Sequence, residues 1–197
     1  MPKSRKVIEL RKVIGYLCIF ASVQFLLVMI YLESIIPGFD RAKNVISDLG
    51  IGSTALAFNS SIILTGAIVI LLAFLFLKLN KKLGLIKKLL PFTALTVFGI
   101  AIACVGVFPE SIGSLHILAA MITFGLGALV CIGSYFYSKK PLSYFFVLLG
   151  LISILASTLY YFNITFGLGY GFLERIIVYP LLIWAIVFGI QMAWGKK

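Results

Sequence analysis

Long apolar runs, separated by short polar segments, extend along nearly the whole sequence. Each run is close to the ~20 residues that a helix needs to cross a hydrocarbon core about 30 Å thick. The runs lack the strict alternation of polar and apolar positions that marks a membrane β-strand. The pattern therefore predicts an all-α fold, a six-helix transmembrane bundle, with spans at about 13–32, 54–77, 91–108, 115–137, 142–162 and 176–194.

Basic residues are distributed unevenly among the segments that connect these spans. With the N-terminus inside, 14 of the 17 Lys and Arg residues lie inside, including Lys196 and Lys197, and only Arg41, Lys43 and Arg175 lie outside. Because short cytoplasmic loops are rich in Lys and Arg, we expect both termini to be cytoplasmic. The outer side then receives His116 and most of the acidic residues, which are Glu33, Asp40, Asp48, Glu110 and Glu174.

The composition excludes an ordinary soluble domain, since the chain is 62% hydrophobic, 12% charged and has a mean hydropathy of +1.15. We expect one integral domain over 1–197, in the cell membrane, with membrane lipids as partners and no cofactor. The first span, 13–32, is too long for a signal peptide and no cleavage site follows it. The net charge is +11, and the basic residues that give this charge border the spans. They therefore indicate contact with anionic headgroups and not nucleic-acid binding.

The connections between the spans differ in length and character. The first outer loop, 33–53, is the longest, and the basic inner segment 78–88 is compatible with a short interfacial amphipathic helix. Pro91 is expected in the first turn of span 3, where its missing amide hydrogen is not needed. The last outer connection, 163–173, is rich in glycine and is expected to end where Glu174 opens span 6.

Small residues on two neighbouring spans predict close packing of helices, because they let two backbones approach each other. These residues are Gly99, Ala103 and Gly106 on span 3, and Gly125 and Gly127 on span 4.

Ser47 and Asp48 lie just before span 2, and two interpretations of them remain open. Either residue can cap the start of a helix, because a side-chain oxygen accepts a free amide hydrogen. Asp48 can also serve as an acid, a base or a ligand at the membrane boundary. If the helix begins near Ser47, Asn59 lies about three turns after Asp48 on the same face. The alternative for Asn59 is a hydrogen bond between helices.

Glu110 and His116 flank the tight turn between spans 3 and 4. A carboxylate beside an imidazole forms a tunable proton donor and acceptor, so the predicted catalytic residues are Asp48, Glu110 and His116. The alternative for His116 is a hydrogen bond to a neighbour at a helix start. No metal site is predicted, because zinc sites usually contain more than one His or Cys and the three cysteines lack ligand spacing.

Glu174 and Arg175 are adjacent near the start of span 6. The helix dipole favours an acid there and disfavours a base, so we expect Arg175 to pair with Asp48, Glu110 or a bound anion such as a lipid phosphate. A structural ion pair that closes the outer face is the alternative. The predicted ligand-binding residues are Ser47, Asn59, Glu174 and Arg175.

Several short motifs occur together in this chain and in a fixed order: Ser47-Asp48-Leu49-Gly50, Phe58-Asn59, Val105-Gly106-Val107-Phe108-Pro109-Glu110, Leu115-His116-Ile117-Leu118-Ala119-Ala120 and Glu174-Arg175. In this set the chain resembles the prokaryotic six-helix membrane proteins known as the domain of unknown function 998 family. The resemblance covers nearly the whole chain and implies a six-span fold. That family has no assigned activity, so the resemblance implies no catalytic role for any residue.

Three classes of function are compatible with this pattern. The first is binding or processing of a lipid or lipid-linked substrate at the outward polar cluster, which we prefer. The second is a non-enzymatic structural or regulatory membrane protein, in which the cluster is an ion-paired lid. A small-solute transporter is disfavoured, because the deep parts of the spans contain almost no ionisable residues.

Overall fold

The computed structural model describes residues 3–195, so Lys196 and Lys197 of the predicted cytoplasmic side lie outside the described residues. Between 3 and 195 the protein is all-helical and contains no strand, which confirms the predicted fold class. Six helices are long and apolar enough to cross a membrane, as expected of a multi-pass integral membrane protein. They are α1 (Lys3–Ile35), α2 (Ala55–Leu79), α3 (Leu85–Val107), α4 (Ser114–Gly133), α5 (Leu142–Tyr161) and α6 (Tyr170–Trp194).

The helices form a closed ring in which each packs against the next in sequence and α6 packs against α1. Because α4 also contacts α6, the helices α1, α2, α3, α4 and α6 form a smaller ring, and α5 packs on the outside of it. One end of the bundle carries Glu33, Asp48, Glu110 and Glu174, and we call it the acidic end. The opposite end, which we call the basic end, carries the lysines of residues 78–88 and 139–140.

Apolar side chains fill the centre of the bundle in two main clusters. The cluster nearer the basic end contains Trp184 and Phe188 of α6. The cluster nearer the acidic end contains Phe25, Phe58 and Phe98, from α1, α2 and α3. The bundle is therefore held by burial of large apolar groups at every level along its axis.

The connection between α2 and α3 is shorter than predicted. The separate interfacial helix with which the segment 78–88 was compatible does not form, because α2 continues to Leu79 and α3 begins at Leu85. Pro91 consequently lies inside α3 and not in its first turn. A proline cannot donate to the carbonyl four residues before it, and that carbonyl, of Lys87, accepts the hydroxyl of Tyr137 at 3.5 Å.

Glycines permit the closest helix contacts. A Cβ at Gly66 of α2 would lie 2.6 Å from the carbonyl oxygen of Gly99 and from the amide nitrogen of Ala103, both on α3. The close packing predicted for span 3 is therefore confirmed. The prediction for Gly125 was wrong, because a Cβ there would meet no atom within 4 Å.

This difference yields a matched test of packing. We expect Gly66→Ala to lower the free energy of unfolding by ~1–3 kcal/mol, because backbone atoms must move to admit the methyl group. Gly125→Ala is the control, and its higher helix propensity should leave stability unchanged or raise it by ~0.5–1 kcal/mol. Denaturation of the detergent-solubilised variants measures both effects. Equal losses in the two variants would contradict the assigned α2–α3 contact.

Candidate functional site

A cavity of about 100 Å³ lies within the half of the bundle nearer the acidic end. Its wall is formed by α1, α2, α3, α4, α6 and the 3-10 helix Ile46–Gly50, while no residue of α5 contributes within the described chain. On α6 the wall extends from Glu174 to Leu182, which is about 12 Å along the helix axis. Most of the wall is apolar, including Phe25, Phe58, Ile62, Phe98, Ile102 and Leu181.

Polar side chains line the cavity at the acidic end. Ser47, His116 and Glu174 all contribute to its wall, and each is more than nine-tenths buried. Two threonines lie deeper, and the hydroxyl of Thr123 is buried without a hydrogen-bond partner in residues 3–195. The wall of the cavity is thus almost entirely apolar, with three polar residues at one end, which we call the polar end.

The 3-10 helix Ile46–Gly50 covers the polar end of the cavity. Ile46 and Ser47 line the wall, and the amide of Ile46 donates a hydrogen bond to Glu174 Oε2. Asp48 holds the start of this 3-10 helix, because its carboxylate accepts the amide of Val45 at 3.0 Å and the side-chain amide of Asn44 at 3.2 Å. Asp48 therefore has the capping contact that was one of its two predicted roles, and it does not line the cavity.

Arg175 faces α1 and the preceding loop. Its Nη1 donates to the carbonyl oxygens of Arg41 and Asn44, both at 2.9 Å, and to that of Gly171 at 2.8 Å. Its Nη2 donates to Glu33 Oε1 at 2.5 Å. Arg175 therefore pairs with Glu33 and not with Asp48 or Glu110, and this is the structural ion pair that was the alternative prediction. Arg175 thus has four acceptors, three backbone carbonyls and one carboxylate. One of the carbonyls, that of Gly171, lies in the first turn of α6, which begins at Tyr170.

Glu33 was not among the predicted site residues. It lies in the last turns of α1, is 1% exposed in its side chain, and also accepts Arg41 Nε at 2.7 Å. Glu33 thus has two arginine partners, of which Arg41 has a side chain that is 59% exposed and Arg175 has a buried one. The available signal in the sequence was a carboxylate directly after an apolar run, which requires a partner if the helix continues into the bundle.

The loop 36–45 lies directly on the start of α6. The amide of Phe172 donates to the carbonyl oxygen of Ala42 at 3.1 Å. Gly171 permits this approach, because a Cβ there would collide with the carbonyl of Asn44. Predicted as part of a free outer connection, residues 170–173 are instead the first turn of α6.

Asp40 gives the loop its own internal structure. Its Oδ1 accepts the amide of Ala42 at 2.9 Å, and Lys43 Nζ lies 3.6 Å from its Oδ2. The hydrogen bond from Ala42, together with the charge of Lys43, holds the pKa of Asp40 below its ordinary value. The carbonyls that contact Arg175 are therefore presented by a loop that is already ordered.

Asn59 and Asp48 do not share a helix face. Ile51 is extended, so α2 begins only at Ala55, and the continuous helix from Ser47 that the prediction assumed does not form. Asn59 Nδ2 instead donates to the carbonyl of Gly50 at 3.1 Å. This contact fastens the end of the 3-10 helix to α2, and Asn59 does not line the cavity.

His116 lies in the first turn of α4, and its Nδ1 is 2.7 Å from the carbonyl oxygen of Phe108. This is the hydrogen bond to a neighbour that was the alternative to a catalytic role. Glu110 occupies the 3-10 helix Glu110–Ile112, and its Oε2 is buried without a hydrogen-bond partner in the described part of the chain. Of the three predicted catalytic residues, only His116 lines the cavity.

No group of three or more His, Cys, Asp or Glu side chains in residues 3–195 is arranged to hold a metal ion. The free cysteines Cys18, Cys104 and Cys131 do not contribute to the wall of the cavity within these residues.

Comparison with known proteins gives one match. The family model described as "Protein of unknown function (DUF998)" matches residues 19–191, which include every predicted site residue and most of all six helices. No curated protein and no solved structure matches the chain.

The buried ion pair yields a stability prediction. We expect Arg175→Gln to lower the free energy of unfolding by ~3–5 kcal/mol, because Glu33 loses its buried partner and the carbonyls of Arg41 and Asn44 lose their donor. Arg41→Gln removes an exposed partner of the same carboxylate and should cost less than ~1 kcal/mol. Urea or thermal unfolding in one detergent measures both variants. A similar loss in both would show that burial does not distinguish the two arginines.

Proposed function

This chain belongs to the DUF998 family of proteins of unknown function, and we propose that it binds a membrane lipid inside the helical bundle. A short segment of the lipid chain occupies the apolar part of the cavity, and the polar head lies beside Ser47, His116 and Glu174. We further propose that the acidic end faces outward from the cell membrane, in keeping with the concentration of Lys and Arg at the basic end.

The observation that carries this proposal is the apolar wall of the cavity, which has polar residues at one end only. Binding sites for small molecules are typically apolar cavities with a few convergent polar groups, and apolar cavities of about 150 Å³ are large enough for a small apolar molecule. The volume of about 100 Å³ is smaller than that, so it accommodates only a short segment of one lipid chain. Two chains side by side do not fit this volume.

Binding is a better account of the site than a reaction. Asp48 caps the 3-10 helix Ile46–Gly50, and Asp48 and Glu110 are both absent from the cavity wall within the described residues. His116 remains as an imidazole at the polar end, without a second predicted catalytic residue beside it on the wall. The proposal therefore needs recognition of a lipid and no turnover.

Filling the cavity provides the test. Ala120 of α4 lines the cavity, so we expect Ala120→Phe to displace the lipid that copurifies with the wild-type protein. Leu118→Phe on the same helix is the control, because Leu118 is 55% exposed and does not line the cavity. Native mass spectrometry in a mild detergent, with analysis of the extracted lipid, measures the occupancy of all three proteins.

The expected result is a bound lipid in the wild type and in Leu118→Phe, and at least about a tenfold lower occupancy in Ala120→Phe, which corresponds to 1.4 kcal/mol. Size-exclusion chromatography checks that both variants remain folded. Equal lipid occupancy in the two variants would place any bound lipid outside the cavity and contradict the proposal.

A further inference from the structure

We infer that the cavity selects a lipid whose head donates hydrogen bonds and carries no negative charge, such as an uncharged alcohol or an amine. This inference rests on the proposed lipid binding and narrows the class of lipid. Its basis is the kind of polar atom at the polar end of the cavity, together with the engagement of Arg175 elsewhere.

His116 supplies an acceptor. The carbonyl oxygen of Phe108 can only accept a hydrogen bond, so Nδ1, at 2.7 Å from it, carries the proton. In the neutral imidazole, the lone pair then lies on Nε2, which is the nitrogen that remains for a ligand. A head with an O–H or N–H group complements this nitrogen, whereas an ionised phosphate or carboxylate has no hydrogen to offer.

Glu174 adds acceptor capacity at the same end. One of its oxygens accepts the amide of Ile46, and a carboxylate has further lone pairs for another donor. In the part of the chain that the structure describes, no ion pair involves Glu174. The carboxylates of Glu110 and Asp48 and the guanidinium of Arg175 lie within electrostatic range of it. Because that guanidinium is already paired with Glu33, the neighbouring carboxylates disfavour a negatively charged head at this end.

The described part of the cavity wall offers no cation to an anionic head. Within residues 3–195, the cavity wall contains no Lys and no Arg. Arg175, which the sequence suggested as an anion-binding residue, directs both Nη atoms to Glu33 and to backbone carbonyls. A buried anion without a cationic partner is strongly disfavoured. Ser47, with a hydroxyl that both donates and accepts, is compatible with an alcohol head.

The experiment compares ligands that share one acyl or alkyl chain and differ in the head. The delipidated wild-type protein in detergent is titrated with a monoacylglycerol, a long-chain amine and a monoacylglycerol phosphate, with native mass spectrometry as the readout. We expect the dissociation constant of the alcohol or of the amine to be at least about tenfold lower than that of the phosphate. Tighter binding of the amine would identify charge pairing with Glu174, and tighter binding of the alcohol would identify hydrogen bonding.

Two matched variants test the role of charge. Glu174→Gln keeps an acceptor for Ile46 and removes the negative charge, so the preference against the phosphate should fall to less than about threefold. Asp40→Asn removes a carboxylate at the same end of the bundle that does not line the cavity, so it should leave the preference unchanged. The lipid series on the wild type stands as a test by itself if Glu174→Gln does not fold.

The possible results separate this inference from the proposed function. If the phosphate binds as tightly as the alcohol and the amine, and Ala120→Phe abolishes its binding, the cavity binds lipids but the inference about the head is wrong. If Ala120→Phe leaves the binding of all three ligands unchanged, or if none of them binds to the wild type, both the inference and the proposed function are wrong.

Discussion

The ion pair between Glu33 and Arg175 is the interaction on which the acidic end depends. It joins the last turns of α1 to the second turn of α6, and the same guanidinium holds the carbonyls of Arg41 and Asn44. Both side chains are removed from solvent, at 1% and 7% exposure. A charge so buried is tolerated only when its partner and its hydrogen bonds are in place. The ion pair and these hydrogen bonds therefore hold the loop 36–45 against α1 and α6, directly before the 3-10 helix Ile46–Gly50 that covers the polar end of the cavity.

Glu174 and Arg175 divide two tasks between adjacent positions. Consecutive residues of a helix point about 100° apart, so Arg175 faces α1 and the loop while Glu174 faces the cavity. Each holds the same outer segment, Arg175 through carbonyls before the 3-10 helix and Glu174 through the amide of Ile46. The 3-10 helix Ile46–Gly50 and the polar end of the cavity are thus linked directly through Glu174.

The chemistry of the cavity follows from this division of tasks. Arg175 is bonded to Glu33 and to backbone carbonyls. The ionisable groups at the cavity wall are therefore the carboxyl group of Glu174 and the imidazole of His116. Within residues 3–195 the cavity wall has acceptors and no cation, which differs from the anion site that the sequence suggested for Arg175. The family to which the chain belongs has no assigned activity. The class of ligand that we propose follows from these acceptors at one end of an apolar cavity.

The sequence by itself determined the six helices, the all-α class and the concentration of polar groups at one end, because these depend on local hydrophobicity and on the thickness of a bilayer. The sequence also pointed to Ser47, His116 and Glu174 as candidate site residues, because polar residues next to apolar spans are few, and all three line the cavity. Only the tertiary structure decided that Arg175 pairs with Glu33, 142 positions away. It likewise decided that Ile51 interrupts the helix before α2 and that five helices enclose a cavity. These features depend on where each helix begins and which faces then meet, and local patterns do not encode contacts between distant segments.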